Sequence, residues 1–178
     1  MRRIADIDIL GDEALLQDMT RGSWLILGLG TALGLAGFLA GVLPDRLSLW
    51  WFLGVGALTA LSLPVHELVH AALFKLFGGR DARVTFGARW GMLYTSAKGL
   101  ILPRRQFMCV LLGPAVVVSL ALFVAAALSG HGLAGWELAV LHLSGCTGDF
   151  GMVAAIRRNP AALLVEDTET GVAFYADR

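Results

Sequence analysis

Charge is scarce in this chain. Of its 178 residues only 16% are Asp, Glu, Lys or Arg, and the formal net charge is +0. A soluble domain usually carries about 25% charged residues, and a nucleic-acid-binding domain shows a strongly basic face, so the composition argues against both classes. Cysteine is scarce too. Cys109 and Cys146 each stand alone in apolar sequence, in neither a CxxC nor a CxxH spacing, which argues against a disulfide framework and against a cysteine-rich zinc module. The first residues do not read as a secretory leader: Asp6, Asp8, Asp12, Glu13 and Asp18 precede any long apolar run, where a signal would have a basic start and a short apolar stretch. Residues 1–22 are therefore expected to be a retained cytoplasmic segment, with a short amphipathic helix around Asp12 to Met19 that gathers Leu15, Leu16 and Met19 on one side. No internal repeat and no low-complexity tract is present.

What the chain has in excess is apolar length: 57% of its residues are hydrophobic and the mean hydropathy is +0.71. Crossing the roughly 30 Å core of a bilayer takes about 20 helical residues. Four segments are long enough: Trp24 to Leu43, Trp50 to Phe77, Phe107 to Leu128 and Leu133 to Ile156. The expected fold is an all-α polytopic membrane protein, one membrane-embedded domain over residues 1–178 ending in a cytoplasmic tail at 157–178. Thirteen of the fourteen Lys and Arg residues fall in the N-terminal segment, the loop between the second and third segments with its edge at Lys75, and the tail. Because cytoplasmic flanks carry the basic excess, both termini and that loop are expected on the cytoplasmic side. Glycines at 30, 34, 37 and 41 give the first segment two GxxxG spacings, which read as close helix packing. Pro64 lies inside the second segment, so a kink or break is expected just before His66. In the long loop, "RVTFGARWGMLYTSA" has β-branched and aromatic residues on both sides of a turn from Gly87 to Gly91, which predicts a small β-hairpin between the second and third helices.

Into the second segment the sequence "SLPVHELVHAAL" sets His66, Glu67 and His70. Ionisable side chains at mid-membrane cost about 2.5–3.5 kcal/mol each on insertion scales, so their presence calls for a task. The spacing is HExxH. On a helix, histidines at i and i+4 project from one face and can hold a single metal ion as neutral imidazoles. A carboxylate beside them, Glu67, is placed to take a proton from water made acidic by that ion. The plainer alternative is a set of core polar residues paired between helices without a metal.

A catalytic zinc uses three protein ligands and an open position. Candidates in the other apolar segments are Glu137, His142, Cys146 and Asp149, all in the fourth. At about 1.5 Å rise per residue, His66 and Asp149 lie equally far from the outer ends of their segments, whereas Glu137 is too shallow. His142 and Cys146 share a helical face with Asp149, so either is a candidate for orienting a ligand or for a core role alone.

These features resemble the site-2 protease class of intramembrane zinc metalloproteases: HELVH in a membrane segment, a basic loop with a hairpin, the Gly113–Pro114 pair opening the third segment, and a glycine-flanked aspartate in the fourth. More closely, the chain resembles a family of small bacterial membrane zincin peptidases in which HExxH is followed by a "GD" aspartate near the end of the last helix. A short acidic-to-aromatic tail then follows, here "VEDTETGVAFY". The resemblance implies zinc as cofactor, His66, His70 and Asp149 as its ligands, and Glu67 as the catalytic base. Two departures from the site-2 pattern stand out: Val117 occupies a position where asparagine is expected, and "LHLSGCTGD" replaces an asparagine-and-proline run, leaving His142 as a candidate substitute. The expected partner is a membrane protein or peptide substrate within a lipid bilayer, cut with zinc-activated water, and no nucleic acid is expected. A non-catalytic metal-binding module with a structural or sensing role is the alternative. A metal transporter ranks below both, because the first and third segments offer no string of polar residues across the membrane.

Overall fold

The computed structural model describes residues 1–8, 11–89, 92–168 and 171–176. In chain order its elements are β1 (Arg2–Asp8), α1 (Glu13–Leu39), α2 (Leu49–Gly78), β2 (Thr85–Arg89), β3 (Met92–Ser96), β4 (Ile101–Pro103), α3 (Arg104–Leu128), α4 (Gly132–Gly145), α5 (Thr147–Arg158), β5 (Leu164–Asp167) and β6 (Gly171–Ala176). Among the described residues three helices, α1, α2 and α3, are long and apolar enough to cross a membrane, and α4 with α5 would make a fourth crossing if the broken pair counts as one span. Leu29 and Leu33 on α1, Leu58 and Leu61 on α2, and Val116 and Leu120 on α3 are all exposed. Apolar faces of this extent are foreign to a soluble monomer and suit contact with lipid.

The expected short helix at Asp12 to Met19 is instead the first two turns of α1, which runs on unbroken for 27 residues. The Asp12 carboxylate accepts from the Leu15 N–H at 3.0 Å, which satisfies one of the donors a helix start leaves unpaired. The expected break at Pro64 does not occur either, since α2 passes through it as one helix of 30 residues. Proline costs the turn one hydrogen bond, and neighbouring helical bonds hold the rest; in apolar surroundings no competing water pulls the turn open. A break appears where none was expected, in the fourth segment. There α4 ends at Gly145 and α5 restarts at Thr147. "SGCTG" is poor helix sequence, and its side chains reach back to carbonyls of the last turn: Ser144 Oγ donates to Leu141 O at 2.8 Å and Cys146 Sγ to His142 O at 3.2 Å.

The chain divides into two compact units, and the division falls within α1, α2, α3 and the first turn of α5. One comprises residues 1–19, 67–114 and 148–178. It contains a four-stranded antiparallel sheet in the order β1-β6-β5-β4, so the N-terminal segment and the tail, expected to be extensions of a helical protein, are paired strands. The fold is thus mostly helical with small antiparallel sheets rather than all-α. Val165, Val172 and Phe174 of the sheet pack with Phe74, Phe107, Val110 and Ile156 of the helices as one buried cluster. The β2–β3 pair forms a separate two-stranded sheet. Gly87 lies within β2 opposite Tyr94, whose ring occupies the space a Cβ would need. The expected turn from Gly87 to Gly91 therefore shortens, and its residues 90–91 lie outside the described residues.

Asp167 ties this unit together. Its carboxylate accepts from Ser96 Oγ and from the Ala97 N–H, both at 2.7 Å, while its backbone pairs with Gly99 and Leu100. Burial pushes its carboxyl from the usual 3.8 up to about 6, against those two hydrogen bonds, which favour the charged form. The folded chain therefore holds the proton more tightly than the unfolded one. The group's contribution to stability is complete below 3.8 and is lost as pH rises through about 6. Thermal unfolding in detergent should show this as a pH dependence between those values that is shallower in Asp167→Asn, and parallel profiles for the two proteins would contradict it.

The other unit comprises residues 20–66 and 115–147. The glycine spacing of α1 serves packing here. A Cβ on Gly30 would stand 2.6 Å from Val140 Cγ1, and one on Gly34 would strike the Trp136 ring. Trp136 Nε1 donates to the Gly30 carbonyl at 2.8 Å, and Thr31 Oγ1 donates to Glu137 Oε2 at 2.9 Å. Glu137, set aside on depth, is accordingly a hydrogen-bonded core residue joining α1 and α4.

Candidate metal centre

His66, Glu67 and His70 lie consecutively along α2. The i, i+4 spacing of the histidines sets their rings on the same helical face. Three kinds of interaction surround them.

In the unit that holds the sheet, His70 is buried and its two ring nitrogens have different tasks. Nδ1 lies 3.0 Å from the carbonyl of Val110 on α3. That carbonyl would ordinarily accept from the residue four positions on, but position 114 is proline, which has no N–H. Pro114 thus leaves a carbonyl available inside a helix, and His70 supplies its donor. Gly113, next to it, leaves room for Leu73 of α2, which a Cβ would hit. The Gly–Pro pair therefore has a local physical purpose: close approach of α2, and one fixed tautomer of His70. With Nδ1–H donating, Nε2 carries the lone pair, and it lies 3.4 Å from Asp149 Oδ1. Asp149 stands in the first turn of α5, where the positive end of the helix favours a carboxylate.

Glu67 lies one residue along from His66. Its Oε2 is buried and has no hydrogen-bond partner among the described residues. Leaving a buried carboxylate oxygen unpaired costs at least about 1–3 kcal/mol, so the position suits a group that arrives later. The hairpin strand β3 is pinned to the same turn, since Thr95 Oγ1 donates to the Glu67 carbonyl at 3.0 Å.

In the other unit, His66 Nδ1 lies 3.2 Å from His142 Nε2, and His142 Nδ1 lies 2.8 Å from Ser119 Oγ. Cys146 Sγ is 3.8 Å from His66 Nδ1. His66, His142 and Cys146 each offer a donor atom within 4.8 Å of the others. His142 and Cys146, open between an orienting and a core role in the sequence, both stand beside the first histidine of the motif. Ser119, Thr95 and the Val110 carbonyl went unnoticed in the sequence. Only the last left a legible sign, a proline four residues downstream of it.

The donor set fits zinc. Metal–ligand bonds of about 2.0 Å in a tetrahedron imply ligand atoms about 3.3 Å apart, close to the separation of His70 Nε2 and Asp149 Oδ1, which is long for a hydrogen bond. An imidazole nitrogen and a carboxylate oxygen at that separation are an N/O pair of borderline hardness that zinc accepts.

Apolar membrane-length helices and an HExxH helix whose second histidine faces a buried aspartate are features a membrane zincin would need. Comparison with known families bears on the same point. Over residues 59–164 the chain matches the family described as "Putative zincin peptidase", and since that is more than half of its length, the chain belongs to this family. The matched stretch runs from the turn before Pro64 through the hairpin and α3 to Asp149 and the start of β5. No curated protein and no solved structure matches the chain.

Proposed function

We propose that the protein is an intramembrane zinc metalloprotease of the site-2 type, hydrolysing a peptide bond in or near a membrane-spanning segment of its substrate. The observation that carries this reading is the His70–Asp149 pair beside Glu67: two buried donors at coordination spacing, one with its tautomer already fixed, next to an unpartnered carboxylate oxygen. His66, His70 and Asp149 would hold the metal. When bound, zinc supplies Lewis acidity, which lowers the pKa of water and polarises a carbonyl.

The chain's own residues do the remaining work. Glu67 takes a proton from the attacking water at Oε2 and returns it to the leaving amine nitrogen, a shuttle whose stages need opposite protonation states of one carboxyl. Asp149 and the two imidazoles keep their rings and oxygens fixed while that proton moves. A peptide bond within a helix is covered by its own hydrogen bonds, so the substrate must be extended before attack. The β2–β3 hairpin, tethered by Thr95 to the turn that bears Glu67, can receive such an extended segment along its edge. The basic residues of the loop and both terminal segments favour a cytoplasmic placement of these parts in a bacterial cell membrane.

The test is cleavage of a transmembrane peptide by the protein reconstituted in bicelles. A zinc chelator should abolish it, and added zinc should restore it. Fragment formation that is indifferent to chelation would overturn the proposal.

A further inference from the structure

We infer that His142, with Ser119 behind it, is a positioning residue for the His66 imidazole and fixes the tautomer in which His66 meets the metal. The inference rests on the metal centre proposed above.

His142 is 3% exposed. A neutral imidazole buried in an apolar helix is tolerated when both nitrogens have partners. Here Nε2 faces His66 Nδ1 and Nδ1 faces Ser119 Oγ, at 3.2 and 2.8 Å. Two neutral rings in contact through their nitrogens need one proton between them, and the chain of three groups can be written in two directions. In one, Ser119 donates to His142 Nδ1, His142 Nε2–H donates to His66 Nδ1, and His66 carries its own proton on Nε2. That state has no lone pair at Nε2. In the other, His66 Nδ1–H donates to His142 Nε2, and His142 Nδ1–H donates to Ser119 Oγ. This second direction puts a lone pair on His66 Nε2, the nitrogen used by the other motif histidine as well. Metal binding at Nε2 thus selects it.

The two histidines of the motif are held in the same way at Nδ1 by different means, His70 by a backbone carbonyl freed by Pro114 and His66 by a second imidazole. A backbone carbonyl can only accept. An imidazole can accept or donate, and so can the Ser119 hydroxyl that partners its far nitrogen, so on the His66 side the relay follows whichever direction a metal at Nε2 selects. Cys146 Sγ lies 3.8 Å from both His66 Nδ1 and His142 Nδ1, but its thiol proton goes to the His142 carbonyl at 3.2 Å, so it supplies no proton to the relay.

Zinc affinity in detergent, measured by competition with a chromophoric chelator, tests this without recourse to turnover. His142→Leu should lower the affinity about 10- to 100-fold, as loss of a group orienting a metal ligand does. His142→Gln places a carboxamide near the former Nε2 and should recover most of that loss, which a merely space-filling role would not produce. Cys146→Ser should leave affinity within about twofold. An unchanged affinity in His142→Leu, equal losses in Leu and Gln variants, or a loss in Cys146→Ser as large as that in His142→Leu would each overturn the inference. Nitrogen-15 NMR of the histidine-labelled wild-type protein gives a reading free of any folding defect: both His66 and His142 should be Nδ1–H tautomers in the zinc-loaded form, and an Nε2–H signal from either would contradict the relay. His66→Ala separates the two levels. If it leaves zinc binding intact, the metal centre itself is wrong; if it abolishes binding while His142→Leu does not weaken it, the relay alone is wrong.

Discussion

Glu67→Gln should leave zinc binding at the wild-type level and reduce peptide hydrolysis by about 10³-fold or more, the scale expected for loss of a general base and acid. At about 1.4 kcal/mol per factor of ten, that is roughly 4 kcal/mol of transition-state stabilisation from one proton-transfer group. The two halves of the expectation come from different features. Zinc is retained because Glu67 is not among the donors that face it: the nearest fixed interaction of that residue is its backbone carbonyl, which accepts from Thr95, and the substitution leaves the backbone unchanged. Activity is lost because a carboxamide nitrogen or oxygen cannot take a proton from water and return it to an amine. A metal site with a purely structural or sensing role would hardly register the change. Matched zinc content and fragment yield, measured on the same reconstituted sample, separate these cases, and a variant that cleaves at the wild-type rate would remove Glu67 from its role.

The parts of this protein that could be read from sequence are those fixed by local spacing. HExxH is a statement about one helical turn, and its three residues do lie on the single helix α2. Membrane-length helices follow from runs of apolar residues, and the exposed leucines and valines of α1, α2 and α3 agree. Asp149 could be reached by counting residues along two segments, although the helix break at Cys146 shows that the count assumed a straight path the backbone does not take. The four-stranded sheet was not legible, because it joins β1 to β6 across nearly the whole chain, and its strands are short, with charged residues such as Arg2, Asp6 and Glu166 that dilute any alternating pattern. Nor was the Ser119–His142 contact, which depends on tertiary packing of α3 and α4. Pro114 lies between these cases: the missing N–H is written in the sequence, but the identity of the group that uses the freed Val110 carbonyl is known only from the fold.

The second large effect concerns Asp149. Asp149 is 8% exposed and its carboxylate faces His70 Nε2, so its removal deletes a donor atom at coordination distance from that nitrogen. The loss should exceed the about 10–100-fold in affinity that a partner acting at one remove costs, while His70 keeps its bond to Val110. Zinc per chain in purified wild-type protein, compared with Asp149→Ala at the same free zinc concentration, is the direct measurement of whether two segments share one ion. The account predicts one zinc per wild-type chain and a variant that elutes as the wild type does but holds almost none. A variant that keeps its zinc with unchanged affinity would contradict it.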